Sequence, residues 1–202
     1  MKIAILGGTP LAKSLGKKYL EAGIGVAFGV GHDFDTEEPE WKSLNKFFHR
    51  LMPYESAIVQ GEFILLCYEN ADFPEVWVAL KHTDTDGKII IDCSNGSFDT
   101  KHGFTNEQLI QKAVPNAKVF RAFYNFDVNF DGYIRAGENR EAFFQGENGN
   151  EKNRVRRLIE VIRFKAIDKG ICVPRMVVNT PELNHEPEKI LAESTKNRSI
   201  SA

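Results

Sequence analysis

Cysteine is scarce in this sequence: three residues in 202, Cys67, Cys93 and Cys172, odd in number and far apart. Such spacing excludes a disulfide framework and offers no CxxC pair for a metal, so a reducing compartment is indicated and a cytoplasmic location is expected. Long apolar runs are missing too. No stretch approaches the roughly 18 apolar residues of a membrane span. Met1 leads straight into Ile3-Ala4-Ile5-Leu6, without the apolar core and small-residue cleavage site of a signal peptide. Charge of one sign is not in excess either: 26 Lys and Arg oppose 28 Asp and Glu. The net charge of -2 exerts no global pull on nucleic acid or a membrane surface, so neither is expected as a partner. The strand–nucleophile–helix elbow GxSxG of many hydrolases is absent, as is any internal repeat.

What is present is ordinary soluble-protein composition, 42% hydrophobic and 27% charged, in a length that suits one domain. Ile3 to Leu6 is a continuous apolar run stopped by Gly7-Gly8-Thr9-Pro10, which suits a strand buried on both faces and ended by a tight turn. Leu11, Leu15 and Tyr19 then recur at helical spacing until Gly23 supplies a stop. Ile24 to Val30 reads as a second strand. After the acidic turn from His32 to Glu40, the mixed segment with Trp41, Leu44, Phe47, Phe48 and Leu51 suggests a helix. Phe63 to Cys67 and Ile89 to Cys93 are further buried-strand runs, flanking a helical pattern of Val76, Trp77 and Leu80 and the turn Asp84-Thr85-Asp86-Gly87. A helix over Asn106 to Ala113, strands over Val119 to Phe123 and Ala142 to Gln145, and a helix from near Asn150 carrying Val155, Leu158, Ile159 and Ile162 complete the pattern. Alternating strands and helices, with strands apolar throughout, predict an α/β doubly wound, mainly parallel sheet with helices on both faces, the Rossmann arrangement. The domain is expected over residues 1–184, with 185–202 a polar C-terminal tail.

A glycine turn between a strand and a helix lets a pyrophosphate approach the unpaired first-turn amides and the positive end of the helix dipole. Gly7-Gly8-Thr9-Pro10-Leu11-Ala12 is an imperfect GxGxxG/A: the first glycine and the final small residue are kept, and Thr9 stands at the second glycine position. Its place at the end of the first strand and the start of the first helix marks it as a candidate dinucleotide site, the alternative being a tight turn that binds nothing. The end of the second strand normally reads the ribose, an acidic side chain selecting NAD and an arginine NADP. Here Val30, Gly31 and His32 provide backbone amides and one imidazole, with Asp33 and Asp35 just beyond, so NAD and NADP both stay open.

Several segments together resemble the coenzyme F420-dependent NADP oxidoreductases. MKIAILGGT at Met1 to Thr9 is similar to that family's opening strand and turn, and Ala12 to Leu15 to its helix start. Phe63 to Cys67 with Tyr68-Glu69 is similar to the strand that ends above the cofactor, and Gly87 to Asn95 to the GK-apolar-D-x-x-N segment. Pro115 to Asn125 is similar to P-x-A-x-V-V-K-A-F-N-T. The chain departs from the family in a turn one residue short, with Pro10 for glycine, and in Val30-Gly31 where the family has the serine and arginine that hold the NADP phosphate. No counterpart of the family's C-terminal helical ending is evident after Gly170.

The resemblance implies hydride transfer between a nicotinamide nucleotide and a stacked second ring, coenzyme F420 or a flavin. It demands no essential acid or base from the protein, and no catalytic side chain is assigned. The strand ends would line the crevice, so the cofactor-contacting set is Gly7, Gly8, Thr9, Pro10, Leu11, Val30, Gly31, His32, Cys67, Tyr68, Asn95 and Ala122. Packing is the simpler role for Cys67 and Phe123, and function for Tyr68 and Asn95. The alternative is a non-catalytic Rossmann domain binding a dinucleotide as a sensor or interaction module. A homodimer is compatible with either.

Two other patterns compete. Asp127-Val128-Asn129-Phe130-Asp131-Gly132 with Ile134 and Glu138 satisfies the twelve-position calcium loop, and Phe120, Phe123 and Phe126 would suit an entering helix. Such loops pair and no second one exists, so an ordinary Asp/Asn-rich turn is the preferred reading and no metal is assigned. Lys152, Arg154, Arg156 and Arg157 form a basic cluster, read as a solvated surface rather than a nucleic-acid patch.

Overall fold

The computed structural model describes residues 1–34, 51–69, 71–94, 106–126 and 140–171. The first unit is β1 (Lys2–Leu6), α1 (Pro10–Glu21) and β2 (Gly25–Val30), as the apolar pattern predicts. There follow β3 (Leu51–Pro53), α2 (Tyr54–Gln60), β4 (Phe63–Leu66), α3 (Phe73–His82), β5 (Ile89–Asp92), α4 (Asn106–Ala113), β6 (Lys118–Ala122), β7 (Glu141–Gly146), α5 (Asn150–Glu160) and β8 (Lys165–Asp168). The eight strands form one sheet in the order β3-β2-β1-β4-β5-β6-β7-β8. Its first six positions follow the doubly wound dinucleotide-binding order, and the direction of winding reverses between β1 and β4.

Period-two alternation divides the core. Ile3, Ile5, Val26, Phe28, Leu65 and Ile91 face one side, under Leu15 and Tyr19 of α1 and Val155, Leu158 and Ile159 of α5. Ala4, Leu6, Ile64, Leu66 and Ile90 face the other, under Tyr54 and Ile58 of α2, Val76, Trp77 and Leu80 of α3, and Leu109 and Ile110 of α4. Both faces are covered, which is why the central strands β1, β4 and β5 carry no polar alternation. On the first face Gly16 admits the Phe28 ring, whose Cζ would stand 2.2 Å from a Cβ at that position. Helix α1 ends as predicted at Gly23. With φ +76°, that glycine lets its own N–H donate to Leu20 O and the N–H of Ile24 donate to Tyr19 O, closing the last turn.

The structure corrects several readings. Leu51, grouped with the helical segment before it, begins a three-residue strand paired with β2, and α2 follows at once; residues 35–50 lie outside the described residues. Pro53 ends that strand and is the N-cap of α2, so neither element is long enough to show periodicity. Strand β8 is likewise only four residues long and mixed in polarity. The sheet is parallel except where β7 runs antiparallel to β6. Phe120 lies in β6, and Phe123 turns the chain at φ 63° before Phe126, so no helix enters the calcium-like loop. The loop residues 127–139 and the tail beyond 171, including Cys172, lie outside the described residues. Lys152 is no solvated charge: it is buried, bonded to Asp168 (2.9 Å), Asn148 (3.2 Å) and Gly170 O (2.9 Å). Arg154 stacks over Phe63 and Arg156 over Phe144, so the basic cluster is partly used in packing. Among the described residues no helix is long and apolar enough to cross a membrane.

Candidate functional site

The carboxyl ends of β1, β2, β4 and β5 meet where the winding reverses, and the glycine turn sits at their centre. Gly7 has φ +116°, and its N–H donates to Gly29 O at 2.9 Å. A Cβ there would stand 2.2 Å from Cys67 O and 2.9 Å from Tyr68 Cα, both backbone, so the turn can press against the end of β4 only as glycine. Thr9 is the N-cap of α1. Its hydroxyl accepts from Ala12 N at 3.2 Å and donates to Cys67 O at 2.8 Å. One side chain therefore caps the helix and ties it to β4. Pro10 occupies the first helical position, where a missing N–H costs nothing, and Leu11 follows half-buried. The departure from a glycine at position 9 thus replaces conformational freedom with a cap.

The strand–turn–helix geometry that a dinucleotide requires is present, with Gly7 fitting the turn tightly against the end of β4. Gly8 is bordered by Phe34, whose ring would stand 2.3 Å from a Cβ on it, so an aromatic wall flanks the turn.

At the end of β2 the chain passes Val30 into Gly31 and His32. The His32 imidazole is 95% exposed and pairs with Asp33 at 3.0 Å, a carboxylate contact that raises its pKa. The His32 backbone is held instead by Glu75 of α3, whose Oε1 accepts its N–H at 3.1 Å. The second oxygen, Oε2, would lie 2.8 Å from a Cβ on Gly31, so this glycine makes room for the carboxylate. Tyr54 of α2 hydrogen-bonds the Gly31 backbone, and burial together with the charges of Asp72 and Glu75 pushes its pKa well up. Neither Glu75 nor Tyr54 had a local signal in the sequence, because each reaches β2 from a helix far along the chain.

At the ends of β4 and β5, Cys67 and Cys93 are adjacent and fully buried beneath α1, with Tyr19 nearby. Burial, then the neighbouring Cys67, holds the Cys93 thiol protonated. Tyr68 is 4% exposed and packs on Phe73, ring centroids 5.2 Å apart. Burial, then the Asp92 charge, drives its phenol pKa well up. Its hydroxyl lies beside Ser94 without a well-formed hydrogen bond. Asp92 is wholly buried. Its Oδ1 accepts from Ser94 N (3.0 Å) and Ser94 Oγ (2.7 Å), while Oδ2 has no partner among the described residues. Burial outweighs the two Ser94 bonds and raises the carboxyl to about 6. Asn106 of α4 donates to Ser94 Oγ at 3.1 Å and completes this polar chain. In the sequence, Asp92 and Ser94 stand in the Gly87 to Asn95 motif and Asn106 at a helix start, with no local signal that joins them.

The structure brings together Gly7, Gly8, Thr9, Pro10, Leu11, Val30, Gly31, Cys67 and Tyr68 around the glycine turn and the adjoining strand ends. Ala122 is buried at the end of β6, two strands beyond β4, and His32 points to solvent. Asn95 lies outside the described residues.

Residues 2–96 match the model of a family described as NADP oxidoreductase, coenzyme F420-dependent. Among solved structures, a candidate F420-dependent NADP-reductase from Arthrobacter sp. FB24 superposes with a TM-score of 0.72 at 21% identity, over 85% of each chain. A hypothetical protein from Sinorhizobium meliloti gives 0.65 at 19% identity, again over 85% of each chain. An imine reductase from Aspergillus terreus, solved with a reduced nicotinamide nucleotide, gives 0.61 at 15% identity over 84% of this chain and 55% of its own. The last is thus matched over about half its length.

Proposed function

We propose that this protein, whose residues 2–96 match the model of the coenzyme F420-dependent NADP oxidoreductases, transfers a hydride between a nicotinamide nucleotide and a deazaflavin or flavin-like acceptor. The observation that carries the reading is the turn from β1 to α1, where Gly7 packs against the Cys67 carbonyl and Thr9 caps the helix facing the crevice. When bound, the nicotinamide supplies the hydride, and the protein's share is binding, alignment and exclusion of water.

That share can be assigned to particular groups. The glycine turn leads the chain into α1, and Leu11, next after Pro10, lies in the first turn, where amides without intrahelical partners would meet a pyrophosphate. The Thr9 to Cys67 bond holds the helix start against β4, so the two walls of the crevice keep their spacing. Cys67 on one face of the sheet and Tyr68 packed on Phe73 on the other bury the end of β4 and exclude water from it. None of these groups needs to exchange a proton for hydride transfer to proceed.

The test is steady-state oxidation of NADPH and NADH, followed at 340 nm, with coenzyme F420 and with FMN as acceptors. Turnover with either acceptor is the expected result. Nucleotide binding without turnover would favour a non-catalytic dinucleotide sensor, and absence of binding would refute both readings.

A further inference from the structure

We infer that Glu75 is the residue that reads the adenosine ribose and that it selects NADH over NADPH, although it lies on α3 and not on β2. This inference rests on the dinucleotide reading of the glycine turn and names which nucleotide that site takes. In the doubly wound fold the group at the carboxyl end of the second strand meets the 2′ position: a carboxylate accepts the free hydroxyl, and a cation pairs with the 2′-phosphate. Here β2 ends at Val30, and the following Gly31 has no side chain to do either.

The vacated position is taken by Glu75. Its Oε1 accepts the His32 N–H at 3.1 Å, and its Oε2 lies where a Gly31 side chain would otherwise project. One carboxylate thereby occupies the backbone donor that an anionic ligand would seek and places a fixed negative charge there. Gly31 is what permits the approach: a Cβ at that position would stand 2.8 Å from Oε2. Two further carboxylates reinforce the sign of the local field. Asp33 pairs with His32 at 3.0 Å and so offsets the charge the imidazole would carry, while Asp72 acts with Glu75 on Tyr54. A ribose diol gains a hydrogen-bond acceptor from this arrangement. A phosphate dianion instead meets the like charge of this exposed carboxylate at contact distance.

Titration calorimetry with NADH, NADPH, 5′-ADP and adenosine 2′,5′-bisphosphate tests the assignment without reference to turnover, on the wild type, Glu75→Gln and Glu75→Asp. The wild type should bind NADH at least about tenfold more tightly than NADPH, and 5′-ADP more tightly than the bisphosphate. Glu75→Gln keeps an acceptor for His32 N–H and removes the charge, so the ratio should fall towards one, mainly through tighter NADPH. Glu75→Asp keeps the charge and should keep the preference for NADH, and it guards against a merely structural effect of the Gln variant. Equal or tighter binding of NADPH by the wild type would overturn the inference and leave the dinucleotide site standing. An unchanged ratio in a folded Glu75→Gln protein would overturn it equally. Binding of none of the four ligands would remove the dinucleotide reading and this inference with it.

Discussion

Replacing Gly7 by alanine probes the turn on which the site is built, and its cost can be worked from two separate terms. An L-residue at φ +116° sits in a sparsely populated region, which costs about 1–3 kcal/mol. The added methyl would also stand 2.2 Å from Cys67 O and 2.6 Å from Cys67 C. Both are backbone atoms, so relief requires the ends of β1 and β4 to part. That movement strains the Cys67 N–H to Leu6 O bond (2.8 Å) and the Thr9 hydroxyl to Cys67 O bond (2.8 Å), each worth about 1 kcal/mol net. The total is about 3–5 kcal/mol, or a fall in Tm of about 6–20 °C for a domain of this size. Gly23→Ala provides the control: φ is +76°, and nothing lies within 4 Å of its Cβ, so only the backbone term of about 1–2 kcal/mol applies. Urea denaturation of both variants, compared at equal m-value, isolates the contact term. If Gly7→Ala costs no more than Gly23→Ala, close approach to Cys67 is not what demands glycine, and the geometric account of the turn fails.

Thr9→Val should lose about 1–2 kcal/mol of stability by removing the α1 cap and weaken nucleotide binding, while Thr9→Ser restores both; calorimetric binding and thermal melts would show it. Asp92 has a folded pKa raised to about 6 from an ordinary 3.8, so the native state holds the proton more tightly and stability falls as pH rises through that interval, by up to about 3 kcal/mol. Asp92→Asn should abolish that fall, and parallel stability–pH profiles for variant and wild type would contradict it. Lys152→Met should cost about 2 kcal/mol at pH 7, since it strips a buried ammonium from Asp168, Asn148 and Gly170 O. Burial alone would raise the Asp168 pKa, but the Lys152 bond, the Gly170 N–H and the Lys152 and Arg156 charges hold it below its ordinary value. The penalty should therefore shrink as acid protonates Asp168, and denaturation at pH 7 and pH 3 compares the two.

The strands read most easily were those buried on both faces. Ile3 to Leu6, Phe63 to Leu66 and Ile89 to Ile91 show unbroken apolar runs because helices cover both sides of the sheet, and their helices show the matching periodicity. Elements of three to seven residues were missed where they were too short to establish a period, as in β3, α2 and β8. Phe120, Phe123 and Phe126 misled for another reason. Spacing by three suits a helix, but Phe120 is fixed by pairing with β5 and β7, and Phe123 takes a left-handed conformation. The burial of Lys152 has no local signal, because it depends on Asp168 and Gly170, which arrive later in the chain.

The sequence by itself determined the order of the longer strands and helices, the glycine turn at Gly7 and the stop at Gly23, since each rests on local backbone preference or on a short hydrophobic period. Only the tertiary structure decided what surrounds that turn. The Cys67 carbonyl that forbids a side chain at Gly7, the Thr9 bond across to β4 and the Glu75 carboxylate at the end of β2 join residues 43 to 60 positions apart. Contacts at such separation follow from sheet order and strand register, which bring the ends of β1, β2 and β4 together and which no short stretch of chain encodes.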